Sequence, residues 1–336
     1  MKKLLIILCA ITIIFSYNSC KKSNDTPTYV GNWTKKSDLD GVARSGAVSF
    51  CIGNVGYMGL GYDGRKWLKD FWKYDSDKDS WTRIDSFPGI GRTSAVGFSV
   101  NGKGYVGTGY DGENSNYLKD FYEYDPATNK WDSIAIFEGG ERYGAVSFSL
   151  GNKGYVGTGY NGNYLKDFWS YDPASGKWDQ ITSINGSKRR NAVSFVIGGY
   201  GYVCTGVDNG QFVYDFWRYN ASTDTWEGLR NISNTSSDSY DDAYAIVRAN
   251  GVGFSSSDKG YVALGTNGSI LNNVWEYDPP PIDLWTQKTG FEGVPRTSAV
   301  AFSLNNQIFV TTGQNSTYSF DDLWEFKPND VYDANN

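Results

Sequence analysis

An all-β fold built from six similar units is the structure that this sequence predicts. Three observations support the prediction: Gly, Tyr and Trp are abundant at 40, 25 and 12 residues, a 14-residue segment recurs along the chain, and an arginine follows each copy at a nearly constant spacing. Aromatic residues favour strands, and glycine favours the tight turns between them. Each unit is therefore expected to be a small antiparallel sheet.

The recurring segment reads LKDFWKYDSDKDSW at 68–81 and is incomplete at 320–330, where it stops before its tryptophan. The other copies lie at 118–131, 165–178, 213–226 and, more loosely, 271–285. Self-similarity at a regular spacing is the signature of an architecture assembled from repeated units. Six units are therefore expected.

The tryptophan that the sixth copy lacks is found near the start of the chain. Trp33 lies 11 residues before Arg44, and the same step separates Trp81 from Arg92. The stretch around Trp33 is therefore predicted to be the outermost strand of the last unit. Six units closed into a ring by such a strand describe a six-bladed β-propeller, which leaves no long free sheet edge.

Four strands follow one another within each unit, as the third unit illustrates. Its strands a, b, c and d read AVSFSL, YVGTG, DFWSYD and KWDQI, with the turns GNKG and PASG joining a to b and c to d. Such turns are typical of hairpins. A variable loop joins b to c, and the tryptophan of strand d is expected to lie in the core between units.

These units resemble the Kelch repeat across residues 30–330. The resemblance rests on GYVGTG at the end of strand b, on YDPATNKW across strands c and d, and on an arginine before each strand a. The sequence departs from the Kelch pattern where the first glycine of the usual doublet is replaced, as in GLG, CTG and TTG. The resemblance implies a monomeric six-bladed propeller followed by a short tail, 331–336.

The first 29 residues are interpreted as a targeting segment and tether. Lys2 and Lys3 precede the apolar run LLIILCAITIIFS, which is too short to span a membrane but fits a secretory signal. Cys20 follows two small polar residues, which resembles the lipidation signal of bacterial lipoproteins. We expect a signal peptide at 1–19, a lipid anchor on Cys20, a tether to residue 29, and a location in the cell envelope, at the outer membrane. A plain signal peptide is the alternative.

Composition excludes several kinds of function. The chain has no histidine, which removes His-ligated metals and Ser-His or Cys-His nucleophiles. Galactose oxidase shares the Kelch propeller but needs histidine ligands for copper, so that activity is excluded, and no cofactor or metal is expected. A net charge of -6 gives no broad basic surface for nucleic acid. Cys51 and Cys204 are expected to be buried free thiols.

The candidate ligand-binding face carries the b-to-c loops and the d-to-a links. Four of its loops end in aromatic residues that suit sugars or peptides; these are Trp67, Tyr117, Tyr164 and Tyr318. The arginines before strand a suit carboxylate or sulfate; these are Arg44, Arg92, Arg142, Arg189, Arg248 and Arg296. The alternative is structural pairing of each arginine with the first residue of its own strand c, namely Asp70, Asp120, Asp167, Asp215 or Asp322.

The fifth unit departs from the others at this position. It has Asn273 in place of the aspartate, and its d-to-a link is longer by 11 residues. We expect Arg248 and the inserted loop, 235–242, to determine which ligand binds. The alternative is that three acids of the link, Asp238, Asp241 and Asp242, neutralise the charge of Arg248.

Two functions are consistent with these features. The first is a non-catalytic module that binds an envelope protein or glycan. The second is a sugar mutarotase or epimerase acting on an anionic sugar, an activity that the resemblance to bacterial Kelch proteins implies and that needs a carboxylate near the ring. Acids on the variable face that could serve are Glu113, Glu138, Glu141 and Glu292.

Overall fold

The structure, a computed structural model, describes residues 29–233 and 244–333. In these ranges the chain forms six four-stranded antiparallel sheets with the strand order a-b-c-d. The strands a surround a central channel of about 300 Å³, lined by small residues. The predicted six-bladed propeller is confirmed. Within the same ranges, no helix has the length and apolar character needed to cross a membrane.

Blades are numbered from the first complete set of strands. In blades 1 to 6, strand a spans Val48–Ile52, Val96–Val100, Val146–Leu150, Val193–Ile197, Val252–Ser256 and Val300–Leu304. Strand b spans Val55–Gly59, Lys103–Gly107, Lys153–Gly157, Tyr200–Cys204, Lys259–Ala263 and Gln307–Thr311. Strand c spans Phe71–Asp75, Phe121–Asp125, Phe168–Asp172, Phe216–Asn220, Val274–Asp278 and Leu323–Lys327.

The strands d cover the outside of the ring. They span Ser80–Ile84, Lys130–Ser133, Lys177–Ile181, Thr225–Leu229, Leu284–Lys288 and, for blade 6, Asn32–Lys36. Two b-to-c loops form additional two-residue hairpins, in which Tyr110–Asp111 pairs with Asn116–Tyr117 and Val207–Asp208 pairs with Gln211–Phe212.

The N-terminal strand closes the ring as the sequence predicts. Trp33 lies opposite Phe326 in the antiparallel register with strand c of blade 6. Its indole is fully buried and contacts the rings of Phe291 and Phe326 at centroid distances of 4.8 and 4.6 Å. The Gly31 amide also donates to the Asp330 carbonyl at 2.9 Å, so that the first and last described segments lie side by side.

Aromatic rings and glycines fit together between neighbouring blades. Phe50 of blade 1 lies over Gly104 of blade 2, where an added Cβ would be 2.1 Å from the ring. Only glycine allows so close an approach. Trp131 of blade 2 packs against Phe71 and Phe87 of blade 1 at 4.9 and 5.4 Å. The expectation that the repeated tryptophans belong to the core is confirmed.

A ring of backbone hydrogen bonds surrounds one end of the channel. In each blade the residue two positions after the arginine has a positive φ, and its amide donates to the carbonyl of its counterpart in a neighbouring blade at 2.8–3.1 Å. The six residues of this channel ring are Gly46, Ser94, Gly144, Asn191, Asn250 and Ser298. Because the bond from Gly46 to Ser298 joins blades 1 and 6, the circle is complete.

The two cysteines of the propeller are free thiols. Cys204 is fully buried and Cys51 is partly exposed. Burial raises the pKa of each thiol to about 12. The expectation of a buried free thiol holds for Cys204, whereas Cys51 is free but only partly buried, and both thiols are poor nucleophiles at neutral pH.

Candidate functional site

Two residues in each blade lie next to each other on the side of the candidate face, and of these Ser45 and Ala249 are buried. The residue after the arginine forms a single β-bridge with a residue at the start of the b-to-c loop, which places both beside the channel mouth. In blades 1 to 6 these pairs are Ser45 and Tyr62, Thr93 and Tyr110, Tyr143 and Tyr160, Arg190 and Val207, Ala249 and Thr266, and Thr297 and Gln314. The face is therefore aromatic on blades 1 to 3 and small or polar on blades 5 and 6.

The six repeated arginines lie beneath this face, where a ligand does not reach them. Their residues are 0–1% exposed. In blade 1, Arg44 donates through Nη1 and Nη2 to the Asp70 carboxylate at 2.7 Å, and through Nε and Nη1 to the carbonyls of Val42 and Leu60. One guanidinium thus joins the d-to-a link, the end of strand b and the start of strand c.

The same arrangement recurs in four other blades. The pairs are Arg92 with Asp120, Arg142 with Asp167, Arg189 with Asp215 and Arg296 with Asp322. The structure therefore accounts for these arginines through the architecture of the blade. Their proposed role as ligand-binding groups loses its basis, because their donors are used and their side chains are covered.

Arg248 in blade 5 is buried as deeply but lacks an aspartate among the described residues. Asn273 Oδ1 accepts from Nη2 at 2.7 Å, and the carbonyls of Ala245, Ile246 and Leu264 accept further bonds at 2.7–2.9 Å. Burial lowers the pKa of Arg248 to about 9. Arg248 is therefore also enclosed by its own blade. The inserted loop 235–242, with Asp238, Asp241 and Asp242, lies outside the described residues.

The four predicted loop aromatics differ in their surroundings. Trp67 is partly exposed and lies 4.6 Å from the Tyr62 ring. Tyr318 is 55% exposed and contacts only Phe320 among the ring contacts described for it, at 5.1 Å. Tyr117 and Tyr164 belong to one larger group on blades 2 and 3.

That group is a contiguous surface of five tyrosines. Tyr117 stacks on Tyr143 at a centroid distance of 5.4 Å, and Tyr160 lies 5.8 Å from Tyr143 and 5.0 Å from Tyr164. Tyr110 joins it at 5.6 Å from Tyr143. All five side chains are partly exposed, so the rings offer both apolar faces and hydroxyl groups to a ligand.

Arg190 completes this surface from blade 4. Its guanidinium carbon lies 5.3, 4.8 and 5.4 Å from the ring centres of Tyr143, Tyr160 and Tyr164, and Nη1 donates to the Tyr143 hydroxyl. Its Nε is buried without a hydrogen-bond partner in the described structure. The three rings hold the cation by cation–π attraction. We call the five tyrosines and Arg190 the tyrosine–arginine cluster.

Sequence reasoning missed Arg190, Tyr110, Tyr143 and Tyr160, although a signal for Arg190 was present. Arg190 directly follows a repeated arginine, and no other unit has a charged residue at that position. An exposed residue that differs from its counterparts in the other blades gives its own blade a distinct surface. The repeated residues are the ones that every blade needs for folding.

The acids proposed for a catalytic role lie elsewhere. Glu113, Glu138 and Glu141 are exposed. Glu292 is half-buried near Trp33, and burial raises its pKa. In the described part of the chain, no hydrogen bond or ion pair joins a carboxylate to the tyrosine–arginine cluster, and no cluster of acids and cysteines could hold a metal ion.

Comparison with known proteins agrees with this architecture. Residues 87–252 match the family described as the KLHDC2/KLHL20/DRC7 Kelch-repeats domain. The solved structure titled "Structure of YjhT" aligns with a TM-score of 0.72 at 18% identity, covering 86% of this chain and 96% of that chain. No curated protein matches the chain. At this identity the structural likeness concerns the fold.

Proposed function

We propose that the chain, a six-bladed β-propeller of which residues 87–252 match a Kelch-repeat domain, is a non-catalytic glycan-binding module. The observation that supports the proposal is the tyrosine–arginine cluster on the variable face of blades 2 to 4. Aromatic rings with polar tips bind sugar rings by stacking and by hydrogen bonds from their hydroxyl groups. The ligand-binding role proposed for Tyr117 and Tyr164 is kept, and it now includes Arg190.

Polar side chains next to the cluster suit a ligand rich in hydroxyl groups. The channel mouth is a cavity of about 110 Å³ lined by small residues that include Ser94, Asn191, Asn250 and Ser298. Asn191 follows Arg190 in the chain, so an amide lies beside the cluster. Hydroxyl and amide groups on an open rim fit the recognition of a sugar, because each can both donate and accept.

Binding is favoured over turnover by the distribution of acids. A mutarotase needs a group that transfers a proton at the sugar ring. Among the described residues no carboxylate forms a hydrogen bond or an ion pair with Arg190 or with the five tyrosines, and the channel mouth is lined by glycine, alanine, serine and asparagine. The geometry therefore supports a binding surface better than a site for acid–base catalysis.

A glycan microarray probed with the full chain tests this proposal. We expect a restricted set of glycans to be retained, and we expect the Tyr117→Ala/Tyr160→Ala variant to lose them. Tyr214→Ala is the matched control, since Tyr214 is 46% exposed on the same half of the molecule but outside the cluster. Absence of any retained glycan, or equal retention by the double variant, would overturn the proposal. If the protein speeds the exchange between sugar anomers, as measured by NMR, the site is catalytic and the proposal of a non-catalytic module is wrong.

We further propose that the module acts in the cell envelope, held there by a lipid on Cys20. This part rests on the sequence pattern of residues 1–20, which lie outside the described residues. A tether on the N-terminal side would enter the propeller through the outermost strand of blade 6. An envelope location fits a ligand drawn from surface glycans.

A further inference from the structure

A second feature of the propeller lies at blade 1, and its lining contains no residue of the tyrosine–arginine cluster. It is a groove of about 570 Å³ between the link that enters blade 1 and the start of its strand c. We call it the blade-1 groove and define it by Lys66, Trp67, Lys69, Trp72 and Arg83, which line it together with Asp40.

Two indole rings form the apolar part of the groove. Trp72 is held in place because its Nε1 donates to Asp70 Oδ2 at 2.7 Å, and because Gly41 packs against its edge, where an added Cβ would be 2.9 Å from Nε1. Trp67 is oriented by its contact with Tyr62. Both indoles are partly exposed. The groove therefore has two fixed aromatic surfaces.

Three exposed cations surround these rings. Lys66, Lys69 and Arg83 take part in no ion pair with a carboxylate of the described chain, and the Lys69 ammonium reaches only the Pro88 carbonyl, at 3.4 Å. Arg83 lies directly opposite Trp72 in the pairing of strands c and d. The cations thus line the same groove as the indoles.

The acids near the groove leave this charge largely uncompensated. Asp70 is engaged by Arg44, and Asp63 accepts the backbone amides of Arg65 and Lys66 and also attracts the charges of these two residues within its own loop. Asp40 is therefore the remaining acid in the lining. The groove is locally positive on a chain whose net charge is -6.

This combination is specific to blade 1. Lys69 has counterparts in blades 2 and 3, Lys119 and Lys166, but no other b-to-c loop has a cation at the position of Lys66. The position of Arg83 is occupied in blades 2 to 6 by Ser133, Gln180, Gly228, Gln287 and Lys35. Lys35 is paired with Asp38 at 3.2 Å, and blade 6 has Asp321 where blade 1 has Lys69. The repeat therefore does not account for Lys66 and Arg83, and only blade 1 combines all three cations.

We propose that the blade-1 groove binds an acidic oligosaccharide, with sugar rings against Trp67 and Trp72 and acidic groups on Lys66, Lys69 and Arg83. Indole faces stack on pyranose rings, and guanidinium and ammonium groups bind carboxylate and sulfate through charge-assisted hydrogen bonds. The groove shares no lining residue with the tyrosine–arginine cluster, although Trp67 packs on Gly112 in the loop between Tyr110 and Tyr117.

Calorimetric titration of the full chain with defined oligosaccharides tests the proposal. The probes are an oligogalacturonate, which carries carboxylates, a heparin hexasaccharide, which carries sulfates, and maltohexaose, which is neutral. We expect one or both acidic probes to bind and maltohexaose to bind at least about tenfold more weakly. The better of the two acidic probes identifies the anionic group.

Two matched variants locate the site. Lys69→Gln/Arg83→Gln is expected to weaken binding of the acidic probe at least about tenfold, and Trp67→Leu is expected to weaken it with no change in charge. Lys119→Gln/Lys166→Gln removes the same charge from the positions of Lys69 in blades 2 and 3 and should bind as wild type does. Thermal melting curves establish that each variant is folded.

Several outcomes would overturn the proposal. In the first, neither acidic probe binds at millimolar concentration. In the second, Lys119→Gln/Lys166→Gln weakens binding of the acidic probe as much as Lys69→Gln/Arg83→Gln does. In the third, a single-stranded DNA of the same charge binds as tightly as the acidic oligosaccharide. Retention of acidic-sugar binding by Tyr117→Ala/Tyr160→Ala separates this site from the tyrosine–arginine cluster. Loss in that variant would assign the acidic probe to the cluster instead.

Discussion

Replacing Asp322 by Asn gives the arginine site of blade 6 the form that blade 5 already has. In the wild-type chain the Asp322 carboxylate accepts Nη1 and Nη2 of Arg296 and also the indole Nε1 of Trp324, at 2.8 Å. An asparagine offers one oxygen to these three donors and directs its own amide at the guanidinium. At least one buried donor is therefore left without a partner.

The size of the effect follows from these bonds. An unsatisfied buried donor costs about 1–3 kcal/mol, and loss of the charge from a remaining bond costs about 1 kcal/mol more. We therefore expect the free energy of unfolding to fall by about 3 kcal/mol, and the melting temperature by roughly 5 °C for a domain of this size. Arg248 tolerates Asn273 because Ala245 supplies an additional carbonyl at 2.9 Å to its Nη2.

Urea titration followed by tryptophan fluorescence measures this difference. Asp132→Asn, an exposed substitution in strand d of blade 2, should leave the midpoint unchanged. The reciprocal change, Asn273→Asp, should raise stability by about 1 kcal/mol, because it places a carboxylate beside a buried guanidinium. A loss below about 0.5 kcal/mol for Asp322→Asn would refute the view that the charged pair stabilises the blade.

The difference in the free energy of unfolding between wild type and Asp322→Asn depends on pH, because the Asp322 carboxylate can be protonated. Burial alone would raise the pKa of Asp322, but the hydrogen bonds and charge of Arg296 outweigh burial and hold that pKa below its usual range. A depressed pKa in the folded state stabilises the protein above the unfolded pKa of about 4, and the stabilisation is lost as the pH falls through the folded value. The difference between wild type and Asp322→Asn should therefore shrink below about pH 4.

Three further predictions concern other parts of the chain. Gly104→Ala should lower the free energy of unfolding by about 1–3 kcal/mol in urea titration, because the new Cβ meets the Phe50 ring; an unchanged midpoint would contradict the packing described between blades 1 and 2. Cys51 and Cys204 should resist iodoacetamide at pH 8 in the folded protein and react after denaturation, as followed by peptide mass spectrometry, since burial raises both pKa values to about 12. Cys20→Ser should abolish labelling by radioactive palmitate in a bacterial host, and continued labelling would place the lipid elsewhere or exclude the anchor.

The fold could be predicted from the sequence because every blade repeats the same residues at nearly the same spacing. Trp33 identified the closing strand through a spacing shared with Trp81, and the aspartates of strand c were recognised as partners for the arginines. A repeated residue satisfies a requirement that every blade shares, so its role in the fold can be read from the pattern. For the same reason the arginines were weak evidence for a ligand.

The candidate site was harder to predict from the sequence, because it depends on contacts between single residues that belong to different blades. Tyr117 lies on blade 2, Tyr143 and Tyr160 lie on blade 3, and Arg190 lies on blade 4. Their contact follows from the curvature of the ring and from β-bridges between link and loop, neither of which has a sequence signature. The b-to-c loop aromatics were recognised from composition, whereas the sequence marks Arg190 as an exception to the repeat but does not show that it meets three tyrosines.

The closing strand has a consequence for how the protein is made. Of the strands in the described part of the chain, Asn32–Lys36 leaves the ribosome first, yet its partner, Leu323–Lys327, is synthesised last. Trp33 therefore remains without its final environment until Leu323–Lys327 has been synthesised, while blades 1 to 5 can already assemble. Domains generally fold as units once their residues have emerged. In this protein the first strand can pair only after the last strand has emerged. A chain that is truncated near its C-terminus therefore leaves the ring open between its first and last blades.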